Sequence, residues 1–398
     1  MRKIYADVLD QIDIDCQDLL DGNSGNWQDW KFNYSNIEEK ILKSNNRCET
    51  IKALFNFPKA PKSEEEENFP LAYGIISYTN IVQFLLMFSS FFEVQNSYCL
   101  AVGNNSDAEF IEILAELPKC FDNVYFELRP PIVWGNFEIL NSTFHCLDYL
   151  SNLNNNKWKY FQYLTGVDAP LKTNLEMVQI LRSLNGSVNI EVSEINADRV
   201  ITEKSSPLPV YKSSISALIP RETANAMTKS STVRALLQYL ELTKIPDESF
   251  WATVLGNKKV LPLPGAIDAE EFLSYREHYR KSHNSEVAAV KARKVFTQYY
   301  FSRFQVWNPE QCEGKVTKGS CVFGVKDVPN LLRQHSPLAH KMYLDYQPAA
   351  FICVLKKTRE RTKSPISDVN IRYYQQLPLT EIHSGINITN ILHPEYLF

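Results

Sequence analysis

Two carboxylates stand where the local sequence gives them a position as well as a charge. Asp168 lies in Gly166-Val167-Asp168, in a polar loop between an aromatic strand pattern starting at Trp158 and a helical pattern that ends at Asn185-Gly186. Loops at the ends of buried strands are where α/β enzymes place ligand groups. The same side chain can instead orient its loop by hydrogen bonding its own backbone. Glu248 follows Pro246 and Asp247 at the start of a helical pattern. A carboxylate there can take a proton from a hydroxyl, or it can complement the helix dipole as a first-turn residue. Pro246 fixes the turn, and Asp247 or Ser249 would cap the helix.

Cysteines are the second group with chemistry. Cys16, Cys48, Cys99, Cys120, Cys146, Cys312, Cys321 and Cys353 include no C-x-x-C pair, so a structural zinc site is not expected. The even count fits four disulfides, and eight buried thiols fit it as well. N-x-S/T sequons begin at Asn33, Asn104, Asn141, Asn185 and Asn387, each a candidate for glycosylation.

The elements that must hold these groups follow from the patterning. A chain of 398 residues with 44% apolar and 22% charged residues can bury a sizeable core. Its net charge of −4 argues against a nucleic-acid partner, which would demand a basic face. The most apolar run, 81–92, is too short to span a bilayer, and the acidic turn of the opening residues excludes a signal peptide there. Residues 1–68 are polar and irregular, end in the acidic run 64–67, and read as a solvated, stem-like segment. From residue 69 buried-strand patterns at 71–78, 97–103 and 123–128 alternate with helical stretches at 81–92, 108–117 and 137–153. This alternation predicts βαβ units and an α/β fold with a mostly parallel sheet. The pattern is looser beyond residue 191, and the tail at 356–398 opens on a basic run and lacks core-forming periodicity, which predicts poor order.

The block 158–191 resembles the core-2/I-branching β-1,6-N-acetylglucosaminyltransferases, glycosyltransferase family 14. Further landmarks fall in the same order: FPLAYGII (69–76), CFDNVYF (120–126), PDESFWATV (246–254) and CVFGVKDVPNLLRQHSPLAHK (321–341). The similarity runs over about 45–355. It implies a glycosyltransferase-A, Rossmann-like fold stapled by disulfides at 69–355, with a donor half to about 190 and an acceptor half from 191. It also implies the pairs Cys16–Cys353, Cys48–Cys120, Cys99–Cys146 and Cys312–Cys321, and with them an oxidising compartment. The family works in the Golgi lumen, held by an N-terminal membrane anchor that this chain does not display.

The activity so implied moves N-acetylglucosamine from its uridine-diphosphate donor (UDP-GlcNAc) to a sugar C6 hydroxyl of a glycan, with inversion. Glu248 matches the general base, and Lys318 and Lys341 match two basic residues that neutralise the leaving diphosphate in place of a metal. Lys318 stands where the family has arginine, so a fork becomes a point charge; Lys326 and Arg333 lie nearby as alternatives. No metal or other cofactor is expected, and the single Asp-x-Asp, Asp13-Ile14-Asp15, falls well before the first strand. Ile76, Tyr78 and Trp134 match the nucleotide pocket; Glu191, Arg199 and Tyr299 match the acceptor site. Other positions depart from the family. Its paired histidines are Ser77 and Tyr78, its base-contacting aspartate is Gly103, a Gly-Ser pair is Ser213-Ser214, and an acceptor-side tryptophan is Thr297. Two alternative readings follow: an inactive pseudoenzyme that binds glycans or a partner protein, and a xylosyltransferase-like activity on protein serine.

Overall fold

The computed structural model describes residues 7–153, 157–200, 204–363, 367 and 369–398. Its strands are, in chain order, β1 (Leu71–Ser77), β2 (Ser97–Gly103), β3 (Val124–Arg129) and β4 (Tyr160–Thr165). Short strands follow: β5 (Asp168–Pro170), β6 (Ser193–Glu194), β7 (Tyr211–Lys212) and β8 (Leu218–Pro220). The last four are β9 (Phe304–Gln305), β10 (Lys315–Thr317), β11 (Ser320–Val322) and β12 (Leu338–His340).

The main sheet has the order β3-β2-β1-β4-β8, parallel except for β8. Every residue of β1 and β2 is buried, as a near-continuous apolar run requires when helices cover both faces of a parallel sheet. The two-residue period of a strand divides β1 between two cores. Leu71, Tyr73 and Ile75 pack with helices Ile81–Phe91, Ala108–Cys120 and Pro348–Arg361. Ala72 and Ile76 pack with Phe137–Asn152, Arg221–Lys229 and Phe250–Leu255. Gly74 is required by that second face, because a β-carbon there would lie 2.7 Å from the Phe161 ring and 3.2 Å from Cys146. The α/β class and the first three strands agree with the sequence patterning.

Four disulfides join Cys16–Cys353, Cys48–Cys120, Cys99–Cys146 and Cys312–Cys321, the pairing the resemblance implies. They explain why the terminal segments are not what their composition suggests. The stem-like segment is folded: helices Val8–Gln11, Cys16–Leu20, Ser35–Leu42 and Arg47–Phe55 bury Leu9, Leu19, Ile41 and Phe55 in the first core. Even the acidic run is a helix, Glu64–Glu67, with buried Glu66 accepting a 2.8 Å hydrogen bond from Asn174. These helices are too short to show periodicity, and two disulfides tie them to distant elements.

The tail is likewise ordered where it is described. Helix Pro348–Arg361 runs through residue 355, and Ile371–Gln375 and Pro378–His383 follow. Tyr373 stacks on His335 at 3.9 Å, and the Tyr374 hydroxyl donates to the His335 carbonyl at 2.7 Å. Isolated aromatics, each with its own polar partner, anchor this segment without any apolar stripe.

Three small sheets complete the frame among the described residues. β12 pairs antiparallel with β5, setting His340 opposite Asp168, and parallel with β9, setting His340 beside Gln305. β10 and β11 form a hairpin, and β6 pairs with β7. Among the described residues no helix is long and apolar enough to cross a membrane.

Candidate active site

A cleft of about 1030 Å³ opens at the carboxyl ends of β1 and β4 and past the end of β2, the position where open α/β sheets bind ligands. Its walls include Ile76, Tyr78, Trp134, Glu191, Glu248, Tyr299, Lys318 and Lys341. Of the acceptor and donor candidates named above, Arg199 and the two alternatives Lys326 and Arg333 are not on that wall.

Glu248 sits in a 3-10 turn, Pro246–Glu248, with the proline at its first position. Arg199 Nη1 donates to Glu248 Oε2 at 2.6 Å, and the Glu248 carbonyl accepts from the Ser213 amide at 2.7 Å. The turn is therefore fixed through its backbone and the carboxylate is aimed by a cation. Arg199 thus touches Glu248 and does not line the open cleft. The helix after it, Phe250–Leu255, has no side-chain cap, so neither Asp247 nor Ser249 caps it. Asp247 lines the cleft but is nearly buried, and its Oδ1 lacks a hydrogen-bond partner. Burial pushes its carboxyl up to about 7, and the adjacent Glu248 charge pushes the same way.

Cations gather at one end. Lys318 and Gly319 are the two central residues of the β10–β11 turn, both with left-handed backbone (φ 51° and 81°), as the primed hairpin turns require. Lys341 follows β12 and donates to the Thr317 carbonyl at 3.1 Å. Burial holds its ammonium below the ordinary lysine value, and the Lys318 charge lowers it further. The two ammonium groups are thus close enough to repel, which is a site waiting for an anion. Lys326 and Arg333 are exposed and do not reach this cleft. Asp13 and Asp15 are also exposed, and Asp15 caps the helix Cys16–Leu20.

Asp168 is the fixed point behind that end. It is 0% exposed; Oδ1 meets His340 Nδ1 at 2.8 Å, and Oδ2 accepts from Arg303 Nη2 at 3.1 Å and the Thr165 amide at 2.6 Å. Burial alone would raise its carboxyl, but Arg303 and His340 outweigh it and hold Asp168 below the ordinary carboxylate value. Arg303 also lies over the Tyr163 ring at 5.2 Å. Asp168 is thus buried support that fixes the strand leading into Lys341.

On the acceptor side Lys212 Nζ lies 3.7 Å from Glu191 Oε2, both on the wall. The Tyr299 hydroxyl is spent on Val192, accepting from its amide at 2.9 Å and donating to its carbonyl at 3.2 Å. Tyr299 therefore holds the chain beside Glu191, with its ring against Phe272 in the second core. Toward the β2 and β3 side Trp134 is exposed by 65%; Tyr78, also exposed, follows β1 and lies beside Tyr343, two residues past Lys341. Gly103 ends β2, and a β-carbon there would lie 2.4 Å from Asn105 Oδ1 and 2.9 Å from the Ile132 amide. Asn105 accepts from Ile132 N at 2.9 Å and donates to Ile132 O at 3.2 Å, bracing the loop that carries Trp134.

Sequence reasoning missed Asp247, Lys212, Arg303, His340 and Asn105. Asp247 was next to a named candidate; the others become neighbours only through tertiary pairing, as with Arg303, 135 residues from Asp168.

A Rossmann-like sheet, a cleft at its strand ends and a paired-lysine corner describe a sugar-nucleotide-transferase architecture. Residues 71–264 match the family model described as Core-2/I-Branching enzyme. A β-1,3-galactosyl-O-glycosyl-glycoprotein β-1,6-N-acetylglucosaminyltransferase of Homo sapiens is 25% identical over 380 residues, covering 88% of this chain and 86% of its own. An N-acetyllactosaminide β-1,6-N-acetylglucosaminyl-transferase of Mus musculus is 27% identical over 374 residues, 87% of this chain and 85% of its own. A relative named like the human one, from Bovine herpesvirus 4, is 28% identical over 316 residues, 74% of this chain and 69% of its own. Residues 71–264 thus form a core-2/I-branching enzyme domain, and with it the chain is a glycosyltransferase.

Proposed function

We propose that the protein transfers N-acetylglucosamine from UDP-GlcNAc to a C6 hydroxyl of a glycan, by single inverting displacement and without a metal. The observation that carries this reading is one cleft with a carboxylate, Glu248, on its wall and a close pair of lysines, Lys318 and Lys341, on the same wall. Relatives over most of the chain are named for β-1,6 transfer of this sugar.

In the proposed step Glu248 removes the C6 hydroxyl proton as that oxygen attacks the anomeric carbon from the face opposite the diphosphate. The bond from that carbon to the β-phosphate oxygen breaks, and UDP leaves with the electron pair. Lys318 and Lys341 stabilise the charge that develops on it, the role a divalent ion takes elsewhere. Arg199 keeps Glu248 aimed until the acceptor arrives. Glu191 and Lys212 offer an acceptor and a donor for sugar hydroxyls.

Four disulfides suit an oxidising compartment, in keeping with a Golgi-lumenal enzyme. Asn33, Asn104, Asn185 and Asn387 are exposed and suit glycosylation, whereas Asn141 is half-buried on a helix with its amide on Glu138. One observation favours a second reading, an inactive relative: the place of a base-contacting carboxylate is Gly103, and the nearby Asn105 amide is committed to Ile132.

Calorimetric titration with UDP and UDP-GlcNAc separates the two. The transferase reading expects saturable binding of both in EDTA; no binding at about millimolar UDP, equivalent to about −4 kcal/mol, rejects it in favour of the inactive relative. A strict manganese requirement would reject the lysine-pair proposal alone.

A further inference from the structure

The chain has six tryptophans. Trp158 and Trp251 are fully buried, Trp27 and Trp30 pack against the first core, and Trp134 and Trp307 are exposed by 65% and 56%. Both exposed indoles line the cleft. An indole is among the largest apolar surfaces a chain can leave in water, and sites that take sugars or bases are where such exposure is useful. Trp134 already has an expected ligand in the nucleobase; Trp307 has none.

The place of Trp307 narrows the choice. It lies two residues beyond Gln305 of β9, which pairs with His340, the neighbour of Lys341. The Val306 carbonyl accepts from the Cys321 amide at 2.8 Å, tying the same segment to the hairpin that carries Lys318. A β-carbon on Gly319 would come within 3.8 Å of the ring, so the indole flanks the turn of Lys318 and Gly319. Trp307 therefore stands beside both lysines. The acceptor-side charges, Glu191 and Lys212, come from other elements next to β6 and β7.

We propose that Trp307 is the platform on which the pyranose ring of the donor sugar stacks, an assignment that rests on the reading of Lys318 and Lys341 as the diphosphate-binding pair. In a UDP-sugar the pyranose is joined through one oxygen to the β-phosphate, whereas the base lies beyond a second phosphate and the ribose. A diphosphate seated on the lysines puts the sugar, not the uracil, within reach of a neighbouring indole. The C–H face of the pyranose meets the ring, and the hydroxyls remain in water or on polar walls.

Titrating wild type, Trp307→Ala and Trp307→Phe with UDP and with UDP-GlcNAc tests the assignment. Trp307→Ala should weaken UDP-GlcNAc about tenfold and UDP by less than about twofold, since a tenfold change is the size of a good aromatic contact. The preserved UDP affinity also reports a folded cleft. Trp307→Phe should keep affinity within about threefold while losing the change in tryptophan emission that UDP-GlcNAc, but not UDP, produces in wild type. Equal loss for both ligands would mean that Trp307 stacks on the base, and no loss for either would mean that it contacts neither; each overturns the proposal. If wild type itself binds no UDP, the transferase reading falls and this assignment falls with it.

Discussion

The two ends of the cleft are built differently. At the lysine end Lys341 has buried support: Asp168 grips Arg303, His340 and the Thr165 amide, and Lys341 itself is tied to the Thr317 carbonyl. At the other end, past β2, Trp134 stands exposed, and a glycine occupies the end of that strand. The lysine end is preorganised for charge, which is where catalysis draws most on fixed electrostatics. The opposite end is held mainly by one amide clamp, Asn105 on Ile132, and offers a flat aromatic face in place of a carboxylate. Under the proposed function, the better-supported end is the one that would carry the charge of transfer, and the plainer end the one that would take the base.

That contrast is open to attack at each end. Of the changes at the two ends, Lys341→Ala should have the largest effect on turnover, a loss of about 10²–10³-fold in kcat, the scale for one preorganised charge-stabilising donor. An effect below about tenfold, measured with saturating donor, would leave the lysine corner without its proposed role. Asp168→Ala should cost about 3–5 kcal/mol of stability, because it strands the buried Arg303 charge. Chemical denaturation measures this, and a loss under about 1 kcal/mol would contradict the supporting role.

The same carboxyl gives a pH dependence with a definite sign. Its folded value lies below the ordinary 3.8, so its contribution is present above 3.8 and is lost as pH falls through the depressed value. Wild type should therefore lose more stability than Asp168→Asn over that acid range. Parallel curves for the two proteins would count against it. The smallest effect is expected at the plainer end: Trp134→Ala should weaken UDP about tenfold, the scale of one base–aromatic stack. Unchanged UDP affinity would remove Trp134 from the nucleotide site.

The same difference governs how much was legible beforehand. β1 and β2 were readable because strands buried on both faces are written as unbroken apolar runs such as LAYGIIS. Glu248, Lys318 and Lys341 were readable from motifs, although nothing local showed that the lysines meet. The support was not readable. Asp168 and Arg303 are joined by strand pairing across 135 residues, and Asn105 matters only because Gly103 leaves it room. The terminal segments misled for a related reason. Their helices are short, and what orders them is non-local: Cys16 to Cys353, Glu66 to Asn174, Tyr374 to His335. Arg199 was a match by position, and its contact with Glu248 changes its part from holding sugar to aiming the base.

The central claim is that Glu248 is the base of a UDP-sugar transfer in this cleft. Turnover of UDP-GlcNAc with a β-1,3-galactosyl O-glycoside acceptor, compared between wild type and Glu248→Gln at matched UDP affinity, tests it most directly. A fall of about 10²–10⁴-fold in kcat with UDP binding unchanged is the predicted result. Turnover by Glu248→Gln equal to that of wild type would contradict it.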